Sequence, residues 1–194
     1  MTPSPRAYHH GDLRRSVLAA ALDAIRDDGV AAISLRDLAR RAGVSHAAPA
    51  HHFGDKAGLL TAIAAEGFDL LAAALDEVPD DTAHRLREMG VRYVEFALGH
   101  PSHFAVMFQP GLLHEADPEL VAARDRSAAA LRAGVDSLPD SPDGAEARRT
   151  GLAAWSLAHG FATLQLSTSL PTLDDDPAAT FRTLVDRQPG LGAP

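Results

Sequence analysis

Apolar residues recur three and four apart along nearly the whole of this 194-residue chain, and strand-like alternation with a period of two is absent. That spacing puts one greasy stripe on each helix and leaves a sheet nothing to pair, so the chain reads as all-α. Leu13, Val17, Leu18, Leu22 and Ile25 form the first stripe, which stops at Gly29. Ser34 with Asp37 has the spacing of a capping box at the start of a short second helix that Gly43 ends. Ser45 can cap a third short helix containing His46 to His52, with Pro49 in its first turn, where a missing backbone donor costs least. Leu59 to Leu75 marks a long fourth helix, ended by Pro79. Further helices are expected near 83–99, 102–109, 118–137, 143–169 and 177–187. Asp117-Pro118, Ser141-Pro142 and Asp176-Pro177 each supply a cap followed by proline at the first helical position. The acidic run Asp174 to Asp176 and the tail Pro189 to Pro194 read as solvated connections.

The overall charge of −8 hides a division along the chain. Met1 to Gly58 holds eight Lys and Arg against six Asp, a balance of +2, and the remainder carries 10 against 20, or −10. A polyanion is met by the first segment and turned away by the second. The absence of cysteine removes thiolate zinc sites, disulfides and cysteine nucleophiles and suits a reducing cytoplasm. No leader-like apolar segment opens the chain, and no apolar run approaches the roughly 20 residues of a membrane helix, so no membrane partner is expected.

Ser34 to Phe53 has the parts of a helix-turn-helix: two short helices, a turn that tolerates a positive backbone angle, and an outward face on the second helix. Leu38, Ala39, Val44 and Ala48 are apolar or small where the helices should meet, while His46, Ala47, His51 and His52 are left outside. The run SLRDLARRAGVSHAAPAHHFGDKAGLL resembles the signature of the TetR family over roughly the first 75 residues. The resemblance makes Ser34–Ala42 the positioning helix, Val44–His52 the recognition helix, and Phe53–Leu60 the Phe-x-x-Lys-x-x-Leu-Leu entry to the fourth helix. It implies a contact from Lys56, the chain's only lysine, to a DNA phosphate, and a DNA-facing set of Arg36, Ser45, His46, Ala47, His51, His52 and Lys56. The sequence departs at Ala50-His51, where the family usually carries tyrosine and then a polar or basic residue.

A second resemblance covers His100 to Phe108 and Ala154 to Gly160, which are similar to motifs of the TetR subgroup named for its Trp, His and Gly. It implies a C-terminal domain that binds a ligand and pairs its last two long helices with those of a second subunit. The expected organisation is therefore a three-helix DNA-binding bundle at 11–58, with the helix-turn-helix at 34–53, and a larger helical regulatory domain at 59–188. The expected partners are double-stranded operator DNA, a second copy of the chain and a small-molecule effector, with repression the expected sign and no cofactor.

Tyr93, Phe96, Phe104, Met107, Phe108, Trp155 and Phe161, with His159 one turn after the tryptophan, gather most of the large side chains of a chain only 5% aromatic. They either border an effector cavity or fill a plain core. Leu152, Leu164, Phe181, Leu184 and Val185 exceed what two terminal helices need to cover one side of a small domain, and are the expected dimer surface. His9-His10, His51-His52 and His100/His103 have poor spacing for a metal, because adjacent helical residues point about 100° apart. Ser156 and His159 resemble a nucleophile and base, yet no elbow, phosphate loop or acid/base pair accompanies them, so no catalytic residue is assigned. A ligand-binding protein without DNA affinity, suggested by Ala50 and the acidic total, is the alternative; a small helical enzyme is a third.

Overall fold

The computed structural model describes residues 5–81, 84–138, 144–167 and 176–187, with side chains from residue 13 onward. The described residues form α1 (Pro5–Asp28), α2 (Leu35–Arg41), α3 (Ala48–Phe53), α4 (Lys56–Asp76), α5 (Arg85–Gly99), α6 (Pro101–Met107), α7 (Pro118–Asp136), α8 (Gly144–Leu166) and α9 (Pro177–Asp186). Single 3₁₀ turns at Val30–Ala32 and Pro110–Leu112 join them, and no strand occurs among the described residues. Ser141-Pro142, Asp174, Asp175 and the tail from residue 189 lie outside the described residues.

Two of the start signals form as read. The Asp117 carboxylate accepts from the backbone N–H of Glu119 and Leu120 at 2.9 and 3.1 Å, and that of Asp176 from Ala178 and Ala179 at 2.9 and 3.2 Å. These bonds satisfy donors that a helix start leaves unpaired. The capping box at Ser34 does not form. Ser34 makes no side-chain cap bond, and the Asp37 carboxylate that would reach back to the Ser34 N–H is instead held by Arg40 at 2.6 Å and Arg41 at 3.0 Å. Ser45 is not a side-chain cap either: α3 begins three residues later, and only the Ser45 carbonyl accepts, from Ala48 N–H at 3.0 Å.

The chain forms two compact units that cut across the expected division at residue 58. One is Met1–Gly67 with Ser102–Val121, and the other is Phe68–Pro101 with Ala122–Pro194. In the first, α1, α2 and α3 pack around Val17, Ala21, Leu38 and Ala39, all 1% exposed or less. The α6 segment is fastened to this unit, with Ser102 Oγ donating to the Leu22 carbonyl at 2.8 Å and His114 N–H to Thr61 Oγ1 at 2.9 Å. In the second unit, α5 packs on both α8 and α9.

The 21-residue helix α4 is long and apolar enough by composition to cross a membrane. Most of its apolar stretch is buried within the protein, and Glu66 and Asp69 lie on its exposed side, as in a core helix.

Candidate nucleic-acid interface and sensor face

The turn between α2 and α3 depends on Gly43, whose φ of 66° is costly for residues bearing a Cβ. With it in place, Val44 N–H reaches the Ala39 carbonyl at 3.0 Å and the chain reverses into α3. Leu38, Ala39, Ala48 and Pro49 are buried on the inner side. Arg36, Ser45, His46, Ala47, Ala50 and His51 are exposed, and His52 is half-buried. The helical part of the reading element is only Ala48–Phe53, so Ser45, His46 and Ala47 belong to the turn that leads into it.

Four features of this unit were not singled out from the sequence. The Arg14 guanidinium stacks over the Phe53 ring at 5.6 Å, holding α1 against the end of α3. Asp55 Oδ1 caps α4 by accepting from Gly58 N–H at 2.7 Å, and it lies 3.5 Å from His114 Nε2. Gly58 sits directly against the Phe53 carbonyl oxygen, leaving no room for a Cβ. On the surface, Arg40 and Arg41 are paired with carboxylates, Arg40 with Asp37 and Arg41 with Asp37 and with Asp28 at 2.8 Å. Hydrogen bonds from Arg40 and Arg41 hold the Asp37 carboxyl below its ordinary range, and those to Asp28 and Asp37 raise Arg41. The Asp-x-x-Arg-Arg spacing was a readable signal for this, since residues three and four apart share a helix face. Lys56 Nζ donates to the Ala31 carbonyl at 3.0 Å, which stations the ammonium at the start of α4. Arg36 makes no ion pair among the described residues.

The candidate sensor residues divide between the units. Phe104 and Phe108 are in the first, edge to face at 5.4 Å, beside a buried Met107. Phe96, 4% exposed, lies in the second, with its ring 5.3 Å from that of His100. There Tyr93, Trp155 and His159 come together. Tyr93 Oη is 2.8 Å from His159 Nδ1 and accepts from Trp155 Nε1–H at 3.4 Å. Burial lowers the pKa of His159, favouring the neutral ring, and raises the Tyr93 phenol well above its ordinary value. The phenol oxygen accepts the indole N–H, and its proton can serve His159 Nδ1. Trp155 nevertheless leaves 39% of its surface exposed. Its polar atom is held inward against α5 while the apolar ring looks out.

The candidate dimer residues separate as well. Phe181 and Val185 are 2% and 4% exposed and belong to the core between α5, α8 and α9, with the Phe181 ring 5.3 Å from Phe161. They are therefore taken up by their own subunit and are withdrawn from the expected partner surface. Leu152, Leu164 and Leu184 are exposed. At about 100° per residue, Leu152 lies near Trp155 on α8, whereas Leu164 lies about 180° from the tryptophan. A small cleft of about 20 Å³, the room of a single water, lies among Leu86, Gly90, Leu157 and Phe181. No cluster of three His, Asp or Glu side chains suited to a metal occurs among the described residues, and the side chains of His9 and His10 lie outside them.

Residues 17–63 match the family model of bacterial regulatory proteins of the tetR family, and residues 86–188 match the tetracyclin repressor-like C-terminal domain. The second description covers that C-terminal domain and does not single out the Trp-His-Gly subgroup. The HTH-type transcriptional regulator BetI of Klebsiella pneumoniae (strain 342) is 39% identical over 74 residues, which are 36% of this chain and 38% of that protein. The matched segment thus spans little more than a third of that curated relative. A solved structure from Rhodococcus sp. RHA1, described as a protein with unknown function, is 37% identical over 91% of this chain and 93% of that one, with a TM-score of 0.73. The TetR-like regulator LfrR from Mycobacterium smegmatis, solved in complex with proflavine, shares the fold at 21% identity, covering 91% of this chain and 94% of that one, TM-score 0.62. The two family models between them cover the helix-turn-helix and more than half of the chain beyond it, and the chain belongs to the TetR family of transcriptional regulators.

Proposed function

We propose that the protein is a homodimeric repressor that holds double-stranded operator DNA with its turn and α3, and releases it when a small, largely apolar effector binds the C-terminal helices. The observation that carries this reading is the outward set Arg36, Ser45, His46, Ala47 and His51 on a helix-turn-helix whose inner residues Leu38, Ala39, Ala48 and Pro49 are buried. Phosphate contacts would position the module, with Lys56 at the start of α4 among them, and the short side chains of the reading element would meet base edges. The domain division behind this reading keeps DNA recognition in residues 11–58 and sensing and dimerisation in 59–188.

Leu164 and Leu184, exposed on α8 and α9, are the apolar surface left for a second copy. A two-fold pairing there would let two reading heads meet successive major grooves about 34–36 Å apart. Trp155, Tyr93 and His159 are the sensor face, in the Trp-His-Gly segment that marks the proposed subgroup. Titration of promoter duplexes across a salt series tests the DNA reading. Binding should weaken steeply with salt, and Lys56→Ala should reduce the slope by about one unit with a similar loss on every sequence. Addition of proflavine, the ligand of LfrR, should change Trp155 fluorescence and release the duplex if the sensor face takes flat aromatic molecules. A second reading, a ligand-binding protein without DNA affinity, draws on Arg40 and Arg41 being spent on Asp37 and Asp28. Fluorescence change on proflavine without duplex binding at any salt would select it.

A further inference from the structure

The reading element has a composition that its role in DNA contact does not by itself explain. Three of its chemistry-bearing side chains are imidazoles, His46, His51 and His52, and its other outward positions include Ala47 and Ala50. His46 and His51 are exposed, and the rings of His51 and His52 meet edge to face at 5.5 Å. We infer that the proton is a second effector of this regulator: operator binding takes up protons at His46 and His51. The inference rests on α3 facing DNA.

The charge around these two residues favours it. Residues 1–58 have a net charge of only +2, and protonating His46 and His51 makes it +4, a doubling of the charge offered to a polyanion. Several of the described fixed cations are already engaged: from α2, Arg40 and Arg41 are held by Asp37 and Asp28, and from α1, Arg26 is held by Asp23 and Asp27. Arg14 lies over Phe53, and Lys56 in the following turn is bonded to Ala31. The described carboxylates of these elements are equally committed, Asp23, Asp27, Asp28 and Asp37 to arginines and Asp55 to the α4 cap. Among the described residues no ion pair is seen at His46 or His51; in the complex, DNA phosphates would stand beside them. Imidazole is the one side chain that ordinarily changes charge near neutrality. DNA binding the charged ring raises its affinity for protons, so by linkage binding is strongest below the imidazole range and falls as pH rises through it.

The test uses the full-length protein, a fluorescein-labelled duplex selected from a random pool at pH 6.0, and a scrambled duplex of equal length, all at constant ionic strength. Between pH 6.0 and 8.0 the affinity should fall at least about tenfold, and the salt dependence should be steeper at pH 6.0 by up to about 0.9 per imidazolium on a phosphate. His46→Gln with His51→Gln, which keeps hydrogen bonding but cannot titrate in this range, should flatten the profile to within about threefold. His46→Arg with His51→Arg should also be flat, with the tight binding retained at pH 8.0. A flat profile for the unaltered protein, or an undiminished one in the Gln variant, overturns the inference and leaves DNA binding standing. No duplex bound by the unaltered protein or the Arg variant at any pH overturns the reading of α3 as the DNA-facing element and the inference with it.

Discussion

Phe181 and Leu184 lie three residues apart on α9, yet an aspartate at each should have opposite consequences. Phe181 is 2% exposed, its ring 5.3 Å from that of Phe161 and seated against Gly90 of α5. Emptying such a site by a Phe→Ala change costs about 3–5 kcal/mol, and an unpaired carboxyl in the same place adds a desolvation cost or forces the group to stay protonated. Against a typical total stability of about 5–15 kcal/mol, Phe181→Asp removes most of the margin and unfolds the C-terminal unit. Leu184, 38% exposed, gives up little when a single subunit is considered, within about 0.5 kcal/mol, as for ordinary surface changes. In the proposed dimer its cost would fall on the partner interface, where the carboxylate would be buried without a counter-ion. Helical circular dichroism should therefore show Phe181→Asp melting far below the unaltered protein, and Leu184→Asp melting near a subunit that light scattering finds monomeric. A well-folded Phe181→Asp protein would refute the packing argument. A Leu184→Asp protein that remains dimeric would move the partner surface off α9.

Three further outcomes follow from single contacts. Gly58→Ala drives a Cβ into the Phe53 carbonyl, so the α3–α4 turn must shift; a loss of about 1–3 kcal/mol with weakened DNA binding is expected in melts and duplex titrations. Tyr93→Phe deprives Trp155 Nε1–H and His159 Nδ1 of the shared oxygen, at about 1–3 kcal/mol, and emission from the single tryptophan should shift because its indole is no longer tethered. Glu88 is held below the ordinary carboxylate range chiefly by Arg182, with Arg87 adding to it. A depressed folded pKa gives stability that is present above the unfolded value and lost as pH falls through the folded one. Glu88→Gln should therefore lower Tm by a few degrees at pH 7 and make the fall in Tm below about pH 4.5 shallower.

The helices could be read closely because their signals are local. Asp117-Pro118 and Asp176-Pro177 fix α7 and α9 through bonds within three residues, and Gly43 marks its turn by a backbone angle that needs no tertiary information. What failed was competition between partners. Ser34 and Asp37 have capping-box spacing, but Arg40 and Arg41 claim the carboxylate, and only the folded helix decides which bond forms. The same holds for the terminal helices. Leu152, Leu164, Phe181, Leu184 and Val185 are alike in sequence, and only packing against α5 and α8 shows that Phe181 and Val185 are internal. The compact unit that joins residues 102–121 to the first 67 depends on contacts such as Ser102 with Leu22, 80 positions apart, for which the sequence has no periodic signal.

The two sides of α8 suggest how a sensor of this shape could act on its own assembly. Trp155 and His159 face α5, the proposed sensor side, while Leu164, about half a turn of azimuth away, is exposed and proposed to meet a second copy. A 23-residue helix is stiff, so an effector that presses on the indole and a partner that presses on Leu164 act on one body. If the effector and subunit pairing prefer different settings of α8, the factor by which the effector changes pairing must equal the factor by which pairing changes effector affinity, because coupling between two binding equilibria is reciprocal. A typical coupling of 1–3 kcal/mol corresponds to about 5–150-fold. Sedimentation over a dilution series with and without proflavine, monitored through Trp155, measures one side of this cycle. Proflavine titrations of the unaltered protein, proposed to be a dimer, and of Leu184→Asp, expected to be a monomer, measure the other. The two factors should agree; proflavine affinity that is identical in monomer and dimer, together with unchanged pairing, would show that α8 does not connect the sensor face to the partner surface.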